Sequence, residues 1–183
     1  MILEIFAYGQ PVLKKVGRRI EEMDEVTERL IANMWETMYN ASGVGLAAPQ
    51  VGQGLRLFIV DTVQIMEEGK EAEGIKKVFI NAEKLEEYGE EFSYEEGCLS
   101  IPDIRADVMR PRKLKIKYLN EDMEEVIEEF EGVNARVIQH EYDHIDGVLF
   151  IEKINPLKRN ILRRKLDKIR KGKISVDYKM KFV

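Results

Sequence analysis

Two histidines, the only ones in the chain, lie four residues apart in the segment QHEYDHIDG, residues 139–147. On a helix this spacing turns by about 40°, so the imidazoles of His140 and His144 would point the same way. Glu141 follows the first histidine and would lie about 100° around the helix. Such an HExxH arrangement is typical of sites in which two imidazoles bind a metal ion and the glutamate transfers protons. The alternative is a helix whose buried histidines hydrogen-bond to backbone carbonyls, which is a costly way to satisfy imidazoles.

A site with two histidines needs a third protein ligand. The chain has no third histidine, which leaves a carboxylate or Cys98, the single cysteine, in EEGCLSIP (residues 95–102). A Cys-His-His site suits zinc, iron, nickel or cobalt. Cys98 could instead be a core residue, a redox sensor or a nucleophile. Because it lies 42 residues before His140, sequence spacing leaves this choice open.

Composition excludes several classes of protein. The 183 residues are enough for one sizeable core, and we expect a single domain over residues 1–183. One cysteine excludes an intramolecular disulfide, and no segment approaches the roughly 18 consecutive apolar residues of a membrane helix. The N-terminal MILEIFAYGQPVLKKV is interrupted by Glu4, Gly9 and Pro11, which is unlike a signal peptide. We expect a cytoplasmic protein with no membrane partner and no DNA partner.

Hydrophobic periodicity predicts an α+β fold. Helical spacing covers residues 24–41, where Asp24 is the expected N-cap, and residues 133–146, where Gly147 would end the helix. Short strands are predicted at 56–62, 77–85 and 114–120, with 126–130 as a hairpin partner of the last. This order favours mostly antiparallel β-strands packed around a central helix that carries HExxH, plus an N-terminal helix and a C-terminal helix.

The segment SGVGLAAPQVGQG, residues 42–54, is rich in glycine but too apolar for an exposed loop. A phosphate-binding loop is disfavoured because no G-K-[ST] follows. One interpretation is a buried turn that leads into the strand at Leu57. The other is a backbone edge against which a ligand lies, with Gln50 offering an amide donor.

The C-terminal region is basic. Residues 155–173 hold nine Lys or Arg and one Asp, a net charge of +8, whereas the chain as a whole is at −5. The remaining residues therefore sum to −13, and the basic segment is suited to an anionic partner. Helical spacing also aligns an apolar stripe, so the helix could simply pack on the body; the stripe comprises Leu157, Ile161, Leu162, Leu166 and Ile169. For the last residues, ISVDYKMKFV, a short strand and an unpacked tail are both open.

Three segments together resemble the signature motifs of the peptide deformylase family. These are GVGLAAPQ (43–50), EGCLSIP (96–102) and QHEYDHIDG (139–147), in this order. The N-terminal ILEIFAYGQPVLKKV is also similar, so the resemblance covers about residues 1–155, and the C-terminal helix resembles that of Gram-negative-type members. The resemblance implies an enzyme that removes the formyl group from the N-terminal formyl-methionine of nascent polypeptides, releasing formate.

The resemblance also implies roles for individual residues. Cys98, His140 and His144 would be the metal ligands, with Fe(II) as the ion and zinc, nickel or cobalt as possible occupants of a purified sample. Glu141 would be the catalytic acid and base, and the oxyanion donors would be the Gln50 amide and the Leu99 backbone N–H. Residues near the substrate would be Gly45 at the edge that pairs with the peptide backbone, Arg105, and a methionine pocket lined by Val44, Tyr94, Val133 and Val137. The basic helix would dock on the ribosome near the exit tunnel.

Three other hypotheses compete with this one. A metallopeptidase uses the same HExxH chemistry on a peptide bond, but it leaves Cys98 without a role. A thiol enzyme would use Cys98 as the nucleophile, which leaves Glu141 and the second histidine unexplained. A metal-binding or ribosome-docking protein without catalytic activity would not need Glu141 or Gln50.

Overall fold

A five-stranded antiparallel sheet forms the centre of the structure, a computed structural model that describes residues 1–183. Its strand order is β2-β3-β4-β5-β6, and every neighbouring pair is antiparallel. A second, two-stranded sheet pairs β1 with β7 in parallel. The strands are β1 (Ile5–Phe6), β2 (Gly45–Ala47), β3 (Leu57–Asp61), β4 (Lys76–Cys98), β5 (Ile101–Leu119), β6 (Glu125–Glu131) and β7 (Met180–Lys181).

Three α-helices accompany the sheets: α1 (Glu25–Asn40), α2 (Gly132–Ile145) and α3 (Pro156–Arg170). The predicted N-cap of α1 is confirmed, because the Asp24 side chain accepts a hydrogen bond from the Thr27 N–H at 2.8 Å. Helix α2 ends as predicted before Gly147, whose φ of 73° is the left-handed conformation that glycine adopts without strain. None of these helices combines the length and the apolar character that a bilayer crossing requires.

Helix α2 is the buried centre of the fold. Every residue from Ala135 to Ile145 is buried, polar ones included. Its apolar side chains Ile138 and Ile145 belong to one core cluster with Phe58 and Phe79 of the sheet. The predicted α+β fold, with mostly antiparallel strands around a central helix that carries HExxH, is confirmed.

The hairpin of β4 and β5 is much longer than the strands predicted at 77–85 and 114–120. Residues 98 and 101 pair at its tip, so Leu99 and Ser100 form the turn. The predicted bounds were wrong for two reasons. Much of β4 is charged and exposed, and the buried alternation of β5 passes through a charged residue, Arg110. The predicted hairpin partner at 126–130 is confirmed as part of β6.

The glycine-rich segment is both a strand and a turn. Gly45–Ala47 form the outer strand β2, and residues 48–51 then make a buried 3₁₀ turn that leads toward β3. Both interpretations of this segment therefore hold in part: it is buried, and it presents a backbone edge.

Helix α3 lies within the predicted segment 155–173. Asn155 caps it by accepting a hydrogen bond from the Leu157 N–H at 2.8 Å. The apolar stripe packs on the body through Leu166 and Ile169, which are buried, and through the half-buried Leu162. In the first half, the side chains of Leu157 and Ile161 are 75% and 77% exposed. Within the last ten residues, Met180–Lys181 form the short strand β7, which is one of the two alternatives considered for this segment.

Candidate active site

The fold brings Cys98 to the two histidines of α2. Cys98 ends β4 at the hairpin tip, and its Sγ lies 3.4 Å from His144 Nε2. The two imidazole rings are 5.1 Å apart between centroids. One ligand atom from each of Cys98, His140 and His144 lies within 4.8 Å of the others. The three predicted ligands therefore converge on one point.

A buried carboxylate orients the first histidine. Glu96 Oε1 lies 2.9 Å from His140 Nδ1, so a proton on Nδ1 is donated to Glu96 and Nε2 is left for a ligand. Arg110 binds the same carboxylate through two hydrogen bonds of 2.8 and 3.0 Å. Burial alone would raise the pKa of Glu96, but the hydrogen bonds from His140 and Arg110 outweigh it and hold that pKa well below its usual range.

Two further charged residues complete this buried network. Arg136 donates to Glu96 Oε2 at 2.9 Å and to the Phe92 and Val108 carbonyls at 2.6 and 2.8 Å. Arg110 also donates a hydrogen bond from Nη1 to Asp143 Oδ2 at 2.8 Å. All these charges are paired, which is the condition for burying them at tolerable cost.

The pKa values of the two histidines are shifted in opposite directions. Burial lowers the pKa of His144, and the neighbouring His140 lowers it further, so its imidazole is held in the neutral form that binds metal ions. Burial would also lower the pKa of His140, but the neighbouring Cys98 thiol and the hydrogen bond to Glu96 raise it.

Glu141 is buried, and its Oε2 has no hydrogen-bond partner in the protein. Burial raises the pKa of this carboxyl to about 7. Its other oxygen, Oε1, packs against the backbone of Gly45, where a Cβ would come within 2.5 Å. An unpartnered, buried carboxylate is suited to take up and release protons near neutral pH.

Gln50 lies on the other side of the cysteine. Its Oε1 accepts a hydrogen bond from the Ala47 N–H at 2.9 Å, which fixes which end of the amide carries the nitrogen. Its Nε2 lies 3.4 Å from Cys98 Sγ and donates to Ser100 Oγ at 3.2 Å. An amide donor is therefore held beside the thiol.

A cavity of about 630 Å³ opens onto these groups. It is lined by Gln50, Cys98, Leu99, His140 and Glu141. Of the residues predicted to contact substrate, five also line it: Val44, Gly45, Tyr94, Arg105 and Val137. Val133 does not; it lies in the first turn of α2.

The structure adds residues that the sequence analysis did not assign. Glu96, Arg110 and Asp143 form the buried network, and the C-terminal residues Ser175–Tyr178 line the cavity. The sequence did contain a signal for Arg136: it precedes His140 by four residues, so both side chains lie on the same face of the helix. No local signal connects the C-terminal residues to the cavity.

The residues at the centre fit a divalent metal ion. One thiol and two imidazoles, clustered within 4.8 Å, are a ligand set for borderline metals, and Glu96 supplies the outer hydrogen bond that such histidines usually have.

Comparison with known proteins gives a consistent result. A family model described as "Polypeptide deformylase" matches residues 2–160. The chain is 52% identical to a peptide deformylase of Christiangramia forsetii, with 100% of this chain and 96% of the relative covered. It is also 52% identical to one of Cytophaga hutchinsonii, at 100% and 98%.

A solved structure agrees with these relatives. The crystal structure of a peptide deformylase from Legionella pneumophila superposes with a TM-score of 0.83 at 38% identity, over 94% of this chain and 98% of that one. The chain therefore belongs to the polypeptide deformylase family, and it is an enzyme that removes N-terminal formyl groups from nascent polypeptides.

Proposed function

We propose that Cys98, His140 and His144 hold one divalent metal ion and that Glu141 transfers the protons of formyl hydrolysis. The observation that carries this proposal is the convergence of the three ligand atoms beside the unpartnered carboxylate of Glu141 in one cavity. When bound, the ion would supply Lewis acidity, which polarises the formyl carbonyl and lowers the pKa of a water molecule. Residues 1–183 act as a single deformylase domain in this proposal.

Glu141 moves one proton in two steps. It accepts a proton from the water that attacks the formyl carbon, and it then delivers that proton to the leaving amine nitrogen. A carboxyl whose pKa burial raises to about 7 is suited to both steps. The products are formate and a free amino terminus.

Gln50 and Leu99 stabilise the negative charge that develops on the formyl oxygen. The Gln50 amide is held beside Cys98 by its bonds to Ala47 and Ser100. The Leu99 backbone N–H directly follows Cys98 in the turn that lines the cavity. Removing one such donor typically costs about 3 kcal/mol of transition-state stabilisation.

The substrate peptide pairs with the edge of β2 at Gly45. This assignment is supported by the position of β2 as an outer strand of the sheet, because an outer strand has unpaired backbone groups that an extended peptide can join. Arg105 lies near the peptide. The methionine side chain enters a pocket formed by Val44, Tyr94, Val133 and Val137, of which all but Val133 line the cavity.

The physiological ion is Fe(II), whereas zinc, nickel or cobalt occupy the site in some purified samples. A Cys-His-His ligand set accepts each of these ions, so the proposal of iron depends on the family resemblance. Metal analysis of protein purified without oxygen tests it, and protein that is fully active with zinc alone in the site would overturn it.

The main experiment measures formate release from formyl-Met-Ala by anaerobically purified protein, with metal content determined on the same sample. Formate release that stops with a chelator and returns with added metal is expected. Cleavage of an unformylated peptide would indicate a metallopeptidase instead. Full activity after complete metal removal would favour Cys98 as a nucleophile.

The basic helix docks on the ribosome near the exit of the nascent chain, which places the enzyme in the cytoplasm. Support comes from the +8 net charge of residues 155–173 and from the exposed side chains of Leu157 and Ile161. A groove of about 1050 Å³ along α3 is lined mainly by basic side chains, among them Arg163 and Arg164. These groups are suited to phosphate contacts.

Co-sedimentation with ribosomes tests this docking. Arg163→Glu with Arg164→Glu should weaken binding, and added salt should weaken that of the parent protein, because phosphate contacts release counterions. Lys113→Glu with Lys115→Glu, on the β4–β5 hairpin, is the matched control. Binding that is equal in both double variants, or independent of salt, would overturn the proposal.

A further inference from the structure

The chain beyond α3 returns to the active site. Strand β7 pairs with β1 through hydrogen bonds from Ile5 N–H to the Lys179 carbonyl and from Ala7 N–H to the Lys181 carbonyl, both at 2.9 Å. The Gln10 side chain adds a hydrogen bond to the Phe182 carbonyl at 2.6 Å. These bonds and the packing of apolar side chains anchor the tail on both sides of Ser175–Tyr178; the packed residues are Ile174, Met180 and Phe182.

The anchored segment forms one wall of the cavity that holds Cys98 and Glu141. From this wall the Tyr178 hydroxyl donates a hydrogen bond to the Leu99 carbonyl at 2.8 Å. Tyr178 is partly buried, whereas its neighbours Ser175 and Asp177 are exposed. Tyr178 is therefore the one residue of this wall that both faces the cavity and bonds to the turn beside Cys98.

The hydrogen bond from Tyr178 adds to other contacts that hold the turn at Leu99 and Ser100. The next carbonyl, that of Ser100, accepts a hydrogen bond from the Tyr8 N–H at 2.9 Å. The Leu99 side chain packs against Gly43 on the opposite wall, so closely that a Cβ there would come within 2.8 Å. Tyr178 thus adds a further restraint, on the peptide group that directly follows Leu99.

We propose that Tyr178 is a positioning residue for deformylation. By holding the Leu99 carbonyl, its hydroxyl restrains the backbone of Leu99 and so keeps the Leu99 N–H directed at the formyl oxygen. This inference rests on the proposed role of Leu99 as an oxyanion donor. A donor that stabilises charge only in the transition state affects kcat, and substrate binding is left unchanged.

The kinetic test compares Tyr178→Phe with Tyr88→Phe. Tyr88 is the matched control because its hydroxyl also donates to an oxygen acceptor at 2.8 Å, the carboxylate oxygen Oε1 of Glu129, and because it lies away from the cavity. For metal-loaded Tyr178→Phe we expect a kcat about tenfold lower on formyl-Met-Ala, a part of the roughly 10²- to 10³-fold loss that follows complete removal of an oxyanion donor. Its KM and metal content should stay unchanged, and Tyr88→Phe should match the parent.

A spectroscopic test reads the peptide groups directly. The pairs Leu-Ser and Cys-Leu each occur once in the chain, at residues 99–100 and 98–99. Carbonyl ¹³C labelling of the first residue type with ¹⁵N labelling of the second therefore gives one NMR signal for each peptide bond. In zinc-loaded Tyr178→Phe we expect the Leu99 carbonyl to shift upfield and the Leu99 N–H to move with it, whereas Tyr88→Phe should leave both signals in place.

Several results would overturn the proposal. A Tyr178→Phe kcat within twofold of the parent would do so, as would unmoved Leu99 signals. Loss of cooperative melting or of bound metal would assign Tyr178 a structural role instead. If the parent protein releases no formate, the proposed function fails, but the NMR comparison still decides whether Tyr178 restrains Leu99.

Discussion

The backbone of Gly45 lies in contact with the carboxylate of Glu141, so that a Cβ at position 45 would come within 2.5 Å of Glu141 Oε1 and 2.7 Å of its Cγ. The strand that is proposed to pair with the substrate therefore touches the group that is proposed to move the proton. A side chain at this position cannot be accommodated unless Glu141 shifts. Because Gly45 has no side chain, the proposed peptide-binding strand can lie directly against the proposed proton-transfer group, Glu141.

Gly45→Ala should reduce kcat/KM about 100-fold, because misplacing a reacting group by about 1 Å has an effect of this size. Formate release from formyl-Met-Ala measures it. Gly54→Ala is the control from the same glycine-rich segment, since a Cβ at that position meets no atom within 4 Å. Equal activity of the two variants would show that Glu141 is not positioned by this contact.

Glu141→Gln should lower kcat by a factor of about 10² to 10⁴, the range for loss of a general acid or base. The variant should keep its metal, and it should melt at the same temperature or higher, because a neutral amide replaces a carboxyl group whose charged form is disfavoured by burial. Formate release, metal analysis and thermal melting check these points. Near-normal deformylation by the metal-loaded variant would exclude the proposed role of Glu141.

Gln50→Glu keeps an oxygen to accept the Ala47 hydrogen bond and removes the amide donor beside Cys98. We expect kcat to fall by a factor of about 10² to 10³, the usual effect of losing an oxyanion donor. Gln53→Glu makes the same change at an exposed position three residues later and should be neutral. If the two variants retain similar kcat values, Gln50 does not stabilise the transition state.

Glu96→Gln should destabilise the protein by roughly 3–5 kcal/mol, because Arg110 and Arg136 would lose a buried partner. It should also weaken metal binding by a factor of about 10–100, since His140 would lose the group that orients it. Denaturant unfolding and competition with a metal chelator measure the two effects. Glu95→Gln, at the exposed neighbouring position, should change neither quantity.

Cys98→Asp should change metal affinity and deformylation together, because the substitution replaces a thiolate ligand with a carboxylate of different preference. A Cys98→Asp variant with altered stability but normal metal affinity and activity would indicate a packing role for this cysteine.

Metal removal from the parent protein should abolish formate release and lower the melting temperature, since an ion that binds only the folded state stabilises it. Both the activity and the melting temperature should return when the metal is added back.

Much of this fold could be predicted because its signals are local. The N-cap at Asp24, the end of α2 before Gly147 and the shared direction of His140 and His144 all depend on contacts within one or two helical turns. The glycine-rich segment was equally informative, because apolar residues between glycines indicate buried backbone with special conformations.

The extent of the β4–β5 hairpin could not be predicted in this way. Its outer face is charged, and the buried position at Arg110 breaks the apolar alternation from which a strand is inferred. A buried arginine is tolerated there only because Glu96 and Asp143 lie opposite it, and those contacts exist only in the folded protein.

The amino-acid sequence by itself determined the helix that presents two histidines and a glutamate, the class of fold and the basic character of α3, because residue type and periodicity specify local geometry. Only the tertiary structure decided that Cys98 lies 3.4 Å from His144 and that Tyr178 reaches Leu99 from the far end of the chain. These pairs are 46 and 79 residues apart in sequence. Contacts over such separations depend on how the long hairpin packs on α2 and how the C-terminal strand pairs with β1, which no local pattern encodes.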